Sequence, residues 1–523
     1  MSTLLDVALL LTGCAHVYLA PYTKVEESFN LHATHDVLMY GIGQKALSNY
    51  DHFVFPGAVP RTFLGSVLLA WFCKPFIPLA EHAEFLSNKF DLQLLARFVL
   101  VFYNTIGFSL LRRAVSRRFG GPTGVWFVVL TCTQFHVPFW MGRTLPNMFA
   151  LLPTNLAFYL LYSRAPNSLR PSARNVHMAI AILTFATVVF RSELLLLLAP
   201  LVLQSLISEY TTIKKIIQTG IIAGVASIAL TVSVDSYFWQ RYPLWPELYG
   251  LYFNVVQGKS SDWGVSPFHA YFTSHLPKLL LSSSVLSFVG AVIDRRIRSL
   301  LWPAITFVLL LSGLGHKEWR FIVYAVPLFN IAAARAAAWL VSIKKSIFLG
   351  RLGLATAAVL VIANCLATTV LTAVSIDNYP GGKALTRFND MYAEHKHVHV
   401  HISNLAAQTG ASLFLQTHSP PYLPGLAPPA EFSHWTYNKT ENLTPALLTS
   451  SHDITHAIAE VSANGARNTF EATGFPGGSW RMTGVVTAFQ RLNIDKSIAT
   501  ITRRPWEVVQ FLRSEELAIL ERK

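Results

Sequence analysis

The chain has 523 residues, 52% of them hydrophobic and only 13% charged, and its mean hydropathy is +0.41. That balance excludes a soluble enzyme of this length and describes a polytopic membrane protein. The net charge of +14 would suit a nucleic-acid partner, but the basic residues fall in short clusters between apolar runs, as at Arg112, Arg113, Arg117 and Arg118 and across Asp294–Arg298, which is how cytoplasmic loops look.

The first apolar run, 3–20, lacks a basic leading region and a convincing small-residue cleavage site, so it is expected to remain as a membrane helix. The polar segment Pro21–Asn30 follows at once and carries two adjacent carboxylates, Glu26 and Glu27. Such a pair is costly to dehydrate, so it is either solvated at the interface or held for chemistry. Beyond it come Asn30, His35 and Asp36, then Tyr50-Asp51-His52, the turn Phe55-Pro56-Gly57 and the segment Val59-Pro60-Arg61-Thr62-Phe63.

Further apolar runs near 93–111, 122–140, 147–163, 177–190, 194–209, 216–233, 276–293, 299–314, 321–341 and 352–374 can each cross a core of about 30 Å, the shorter ones with a tight turn. The stretch 61–79 is also apolar. Were it to cross, the basic loop 112–118 would share a side with the first polar loop. If it lies in the interface or re-enters, the clusters at 112–118, 164–174, 214–215, 294–298 and 344–345 all share one cytoplasmic side. The expectation is therefore about eleven spans with a cytoplasmic N-terminus and 61–79 along the interface.

The same parity sends the unusual polar residues to the lumenal side: Arg143, Arg191 with Glu193, a long loop with Asp235, Trp239, Trp245, Asp262 and Trp263, and His316-Lys317-Glu318-Trp319-Arg320. Positive charge is normally avoided on that side, so His316, Lys317 and Arg320 are candidates to hold an anionic phosphate, although a helix end snorkelling to headgroups is the plainer alternative. Aromatic rings beside carboxylates suit a sugar acceptor, with interface anchoring as the alternative. After about residue 375 the sequence changes to a small mixed α/β domain, with an alternating run from His395 to Ile402, a Pro-rich connection at 420–429 and two glycosylation acceptors, Asn438 and Asn442, which agree with a lumenal placement. His395, His397, His399 and His401 share a strand face and suggest zinc only weakly; the exposed face of an edge strand is the preferred reading. Cys14, Cys73, Cys132 and Cys365 lie in or beside apolar runs and offer neither a disulfide framework nor a metal-ligand spacing.

A carboxylate opposite a cationic phosphate pocket is what glycosyl transfer from a lipid phosphate needs: the carboxylate takes the acceptor's proton and the cations stabilise the departing phosphate. A transporter or lipid flippase is the reading from another class, but its internal repeats and midplane charges are not evident.

Val25-Glu26-Glu27-Ser28-Phe29-Asn30, Thr34-His35-Asp36, Tyr50-Asp51-His52, Val59–Phe63, Arg143–Asn147 and His316–Phe321 together resemble the dolichyl-phosphate-mannose-dependent mannosyltransferases of glycosyltransferase family 22, in consistent order along nearly the whole chain. The resemblance implies an all-α membrane protein of GT-C type, with interfacial helices in a first lumenal loop (21–92), a catalytic domain over 1–374 and a lumenal α/β domain over 375–523. It implies inverting transfer of mannose from dolichyl phosphate β-mannose to a lipid-linked oligosaccharide in the endoplasmic reticulum membrane, with a lumenal active site. The wording at Lys24–Asn30 and Tyr50–His52 points to α-1,6 transfer onto a seven-mannose acceptor; transfer to a glycosylphosphatidylinositol precursor is the nearer rival. The implied roles are Glu26 or Glu27 as base, His316, Lys317 and Arg320 on the donor phosphate, and Asn30, His35, Asp36, Asp51, His52, Arg61, Arg143, Asp235, Trp239, Asp262, Trp263 and Glu318 as acceptor-binding or site-shaping residues. Members more often carry Asp-Glu at the acidic pair; Glu26 keeps the register of the first acid but is one methylene longer. No metal or other cofactor is expected, no nucleic acid, and a monomer among membrane lipids.

Overall fold

The computed structural model describes residues 2–164, 168, 170–422, 434–462, 468–494, 504 and 508–523. Backbone amides have no partner in hydrocarbon other than one another, so the apolar runs fold as helices. Among the described residues six helices are long and apolar enough to cross a membrane: Ser2–Leu19, Leu64–His82, Lys89–Phe119, Ile213–Trp239, Trp319–Ser342 and Phe348–Ile376. A pair bent by 102°, Tyr271–Leu280 and Ser282–Ile293, makes a seventh if taken as one span, and Gly121–Thr133, Ala173–Val189 and Ser192–Ile207 are shorter apolar helices. The stretch expected along the interface is a train of helix Leu64–Cys73, a tight turn Lys74–Phe76 and helix Ile77–His82, with Pro75 and Pro78 at the joints. It belongs to the set long enough to cross.

The chain forms two compact units: the first takes residues up to Val17, Tyr50–Leu69 and Arg97–Thr369, the second Tyr18–Asn49, Ala70–Ala96 and Val370–Lys523. In the first, helix Ile213–Trp239 leaves Ile213, Ile217, Ile221, Ile222 and Val225 exposed. So continuous an apolar surface would aggregate in water and is what a lipid-facing helix presents. Helix Val326–Ser342 is the opposite case: Ala332, Ala333, Ala334, Ala336, Ala337 and Ala338 are all buried. A Cβ added to Gly290 of Ser282–Ile293 would collide with the Ala332 carbonyl, so these two helices meet through small residues.

Two expected spans are broken rather than continuous, and buried side chains explain why the breaks are tolerated. Run 122–140 stops at Thr133 and resumes at His136; Thr368 Oγ1 donates to the Thr133 carbonyl at 2.7 Å. Run 276–293 turns at Leu281, where Gln134 Nε2 donates to Leu280 O at 2.8 Å and Asn364 Oδ1 accepts from Ser282 N at 3.0 Å. Polar groups freed at the two breaks are thus re-satisfied by side chains from other elements. Basic clusters far apart in sequence also meet: Arg296 Nη1 donates to Arg118 O at 3.0 Å and its guanidinium lies 4.9 Å from the Phe119 ring centre, while Arg112 pairs with Asp6 at 3.0 Å.

The second unit is built on a five-stranded sheet of β1 (His397–Ile402), β2 (His434–Asn438), β3 (His456–Glu460), β4 (Trp480–Ile494) and β5 (Val509–Arg522), in the order β2-β1-β3-β5-β4. β1 runs parallel to β2 and β3, while β5 is antiparallel to β3 and β4. Period-2 alternation sends Ile458, Leu517 and Ile519 to one face with Leu385 and Phe388 of helix Pro380–Met391, and Ala457, Ala459, Ala518 and Leu520 to the other with Trp480. The histidine-rich strand is therefore internal, not an edge. His401 is buried, because its neighbours on both sides are strands rather than water. The expected Pro-rich connection lies outside the described residues from 423 onward.

Candidate active site

The acidic pair occupies the first turn of helix Val25–Tyr40, in the second unit. Backbone N–H groups there lack intrahelical partners and the helix dipole favours negative charge, so carboxylates suit both positions. They are used differently. Glu27 Oε1 accepts from Lys24 N at 3.2 Å while Glu27 N donates to Lys24 O at 2.9 Å, a capping arrangement that leaves Glu27 only 3% exposed. Glu26 is exposed. The helix is seated through Leu31 on Leu86, Leu92 and Phe414. Asn30 is buried one turn on, and His35 Nδ1 donates to Asp36 Oδ1 at 2.9 Å in a buried pair.

In the first unit, Arg61 is positioned by the C-terminal end of helix Ile213–Trp239. Asp235, wholly buried, accepts from Phe63 N at 2.7 Å, from Thr62 Oγ1 at 3.2 Å and from Thr231 Oγ1. Trp239 Nε1 donates to the Arg61 carbonyl at 2.9 Å. His52, in the turn Asp51–Phe53, donates from Nε2 to Phe238 O at 3.0 Å, and Phe63 stacks on Phe238 with ring centres 4.5 Å apart. Asp235, Trp239 and His52 thus act on the loop that carries Arg61.

Arg61 enters a nest of charges. Arg191, Arg320, Glu247 and Glu318 all act on its guanidinium; burial first, then Arg191 and Arg320, lower its pKa to about 10. Arg320 Nη2 donates to Glu318 Oε1 at 2.8 Å, and His316 Nε2 lies 3.1 Å from the same oxygen. Burial works against the Glu318 charge, but Arg320 and His316 outweigh it and hold the carboxyl below its usual range. Lys317 Nζ donates to Ser266 O at 3.1 Å and to Leu314 O. Arg191 Nε pairs with Glu193 Oε1 at 2.7 Å, and its guanidinium lies 5.3 Å from the Phe321 ring centre. Asn147 Nδ2 ties the set together, donating to Glu193 Oε1 at 3.0 Å, Tyr324 Oη at 3.1 Å and Arg320 O at 3.3 Å. Glu247 Oε2 accepts from Ser192 N at 2.7 Å, and burial raises its pKa to about 7 against the pull of Arg191. Three arginines therefore face three carboxyl groups, one of which burial holds near neutrality. The balance favours an anion.

Residues 6–422 match the Alg9-like mannosyltransferase family. The chain belongs to that family. Relatives from several organisms carry the name Dol-P-Man:Man(7)GlcNAc(2)-PP-Dol alpha-1,6-mannosyltransferase. The one from Drosophila melanogaster is 40% identical over 87% of this chain and 63% of its own length, and the one from Arabidopsis thaliana is 34% identical over 90% and 89%. The chain thus spans less than two thirds of the fly protein. In fold, this Alg9-like chain is similar to ArnT from Cupriavidus metallidurans bound to undecaprenyl phosphate, with a TM-score of 0.53 at 11% identity over 99% of this chain and 97% of that one, which makes the fold GT-C.

Other residues marked by the sequence of this Alg9-like protein sit apart from the nest's contacts. Arg143 is buried with its guanidinium 4.1 Å from the Phe139 ring centre. Asp262 is exposed and reaches Lys259 at 3.6 Å, and Trp263 is 62% exposed. Asn442 is exposed on a turn with φ +62°, and Asn438 Oδ1 accepts from Thr440 N at 2.9 Å. Among the described residues no three of His, Cys, Asp and Glu gather as metal ligands would. Glu247 and Tyr324 were not marked by the sequence, and Asn147 was marked only as the end of a motif. Their signal is position: a Pro-Glu start to helix Pro246–Leu251, and an Asn at the start of helix Pro146–Tyr162.

Proposed function

We propose that the protein transfers mannose, with inversion, from dolichyl phosphate β-mannose to the C6 hydroxyl of a mannose on a seven-mannose, dolichyl-diphosphate-linked oligosaccharide. One observation carries this reading: the match along most of the chain to relatives named for that donor, acceptor and linkage. The chemistry fits the side chains. Inversion takes one displacement, in which the acceptor oxygen bonds to C1 as the C1–O bond to phosphate breaks and the hydroxyl proton passes to a carboxylate. Glu26 is our choice of base, because it is exposed where Glu27 is engaged at the helix cap. His316, Lys317 and Arg320 take up the charge of the leaving dolichyl phosphate. With cations from the chain at the phosphate, the reaction is proposed to run without a divalent metal. The protein is placed by this reading in the endoplasmic reticulum membrane as a monomer, with its site and residues 375–523 lumenal.

The test is transfer by the purified protein from labelled dolichyl phosphate mannose, with the seven-mannose lipid-linked oligosaccharide and a glycosylphosphatidylinositol precursor as competing acceptors. An eight-mannose product bearing a new α-1,6 linkage is expected, with activity undiminished by EDTA. Transfer to neither acceptor sinks the enzyme reading, and transfer only to the second moves it to the sister class.

A further inference from the structure

The cations marked by the sequence are already engaged: Arg320 and His316 by Glu318, and Lys317 by two backbone carbonyls. Arg191 has Glu193. Arg61 differs from all of them. Its side chain makes no ion pair or hydrogen bond among the described residues, although four charged groups act on it. Its side chain is neither fully buried nor fully exposed.

A guanidinium is not left in such a place by default. Its backbone is fixed from two sides, by Trp239 Nε1 on the Arg61 carbonyl and by Asp235 on Phe63 N and Thr62 Oγ1. The two carboxyls that act on it are turned elsewhere: Glu318 to Arg320 and His316, and Glu247 to Ser192 N. Each acid that would neutralise Arg61 is thus committed to another donor. A cation with two others beside it, whose nearby carboxyls are committed to other donors, favours an added anion whose two oxygens accept from the guanidinium fork.

We infer that Arg61 is the principal ligand of the phosphate of the lipid-linked sugar donor, with Arg191 flanking it alongside His316, Lys317 and Arg320. This rests on the transferase reading. Asp235 and Trp239 are then positioning residues that act through Arg61, and Glu193 and Asn147 do the same for Arg191. The lowered pKa of Arg61 agrees, since a phosphate would relieve the repulsion from Arg191 and Arg320.

The experiment measures two quantities on the purified full chain: the KM for dolichyl phosphate mannose and the Kd for dolichyl phosphate, with inorganic phosphate as a competitor. For Arg61→Gln both constants should rise about ten- to a hundred-fold. Arg61→Lys, which keeps the charge and loses the fork, should recover part of that loss. Trp239→Phe should raise the donor KM several-fold with little change in kcat, a split that general destabilisation would not produce. Arg298→Gln, an exposed arginine in the basic loop 294–298, serves as the control and should match wild type. Displacement of dolichyl phosphate by millimolar inorganic phosphate from wild type but not from Arg61→Gln assigns recognition to the phosphate itself. A donor KM and dolichyl phosphate Kd in Arg61→Gln equal to wild type overturn the inference. If wild type transfers no mannose, the transferase reading falls separately, while dolichyl phosphate binding still decides whether Arg61 holds a lipid phosphate.

Discussion

Glu26 and Glu27 are chemically identical and adjacent, and what separates them is which one the helix cap engages. Glu26→Gln should lower transfer by about a hundred- to ten-thousand-fold, the usual scale for a lost general base, while dolichyl phosphate binding stays near wild type. Glu27→Gln should lower stability by about 1 kcal/mol through the weakened cap, with a smaller loss of transfer. Parallel measurement of turnover and melting temperature checks both, and wild-type turnover in Glu26→Gln would move the base elsewhere. The sequence could mark the pair because acids at the end of an apolar run are conspicuous; it could not assign their roles, since burial arises only when Leu31 seats the helix on Leu86, Leu92 and Phe414. Glu247 escaped for a related reason. In sequence it is one more acid in a polar loop, and only folding brings it to Ser192 N and Arg191.

At the scale of elements, the apolar runs were legible because hydrocarbon allows them one conformation, whereas their breaks were not. The turn at Leu281 depends on Gln134 and Asn364, which are far away in sequence and whose relevance no local pattern shows. The strand of alternating histidines was recognisable as a strand, but an alternating polar face reads as exposed and so suggested an edge. Pairing partners that arrive later in the chain, β2 and β3, made it internal. Helix contact gives a prediction of its own. Gly290→Ala places a methyl against the Ala332 carbonyl and should cost about 1–3 kcal/mol, read as a lower melting temperature in detergent. Gly43→Ala, with open space around its Cβ position, is the matched control and should be nearly silent.

For the whole molecule, acid should act on the sheet of the second unit, because two buried histidines, His401 and His456, lie in its strands. Burial lowers His401 and His456 to about 4 from the ordinary 6.5. Between those values the unfolded chain binds more protons than the folded one, so stability rises with pH and falls as pH is lowered from about 6.5 toward 4. Asp377 acts lower on the scale: burial opposes its charge, but Lys383 and Arg513 outweigh it, and that contribution disappears as pH falls below the ordinary carboxylate value. Tryptophan fluorescence of the full chain during acid titration should show the loss of structure around Trp435 and Trp480 first, and His456→Phe should flatten the upper part of the titration.

The alanine seam of helix Val326–Ser342 bears on how inherited variation in such a chain should be read. In a protein this apolar, exchanging alanine for valine at Ala332 or Ala336 increases hydrophobicity, matches the surroundings in character and would be ranked benign by any scale of polarity. Both alanines are wholly buried, so two more methyl groups would have to be forced into packed protein. Harmful variants there will be conservative in chemistry and excessive in size.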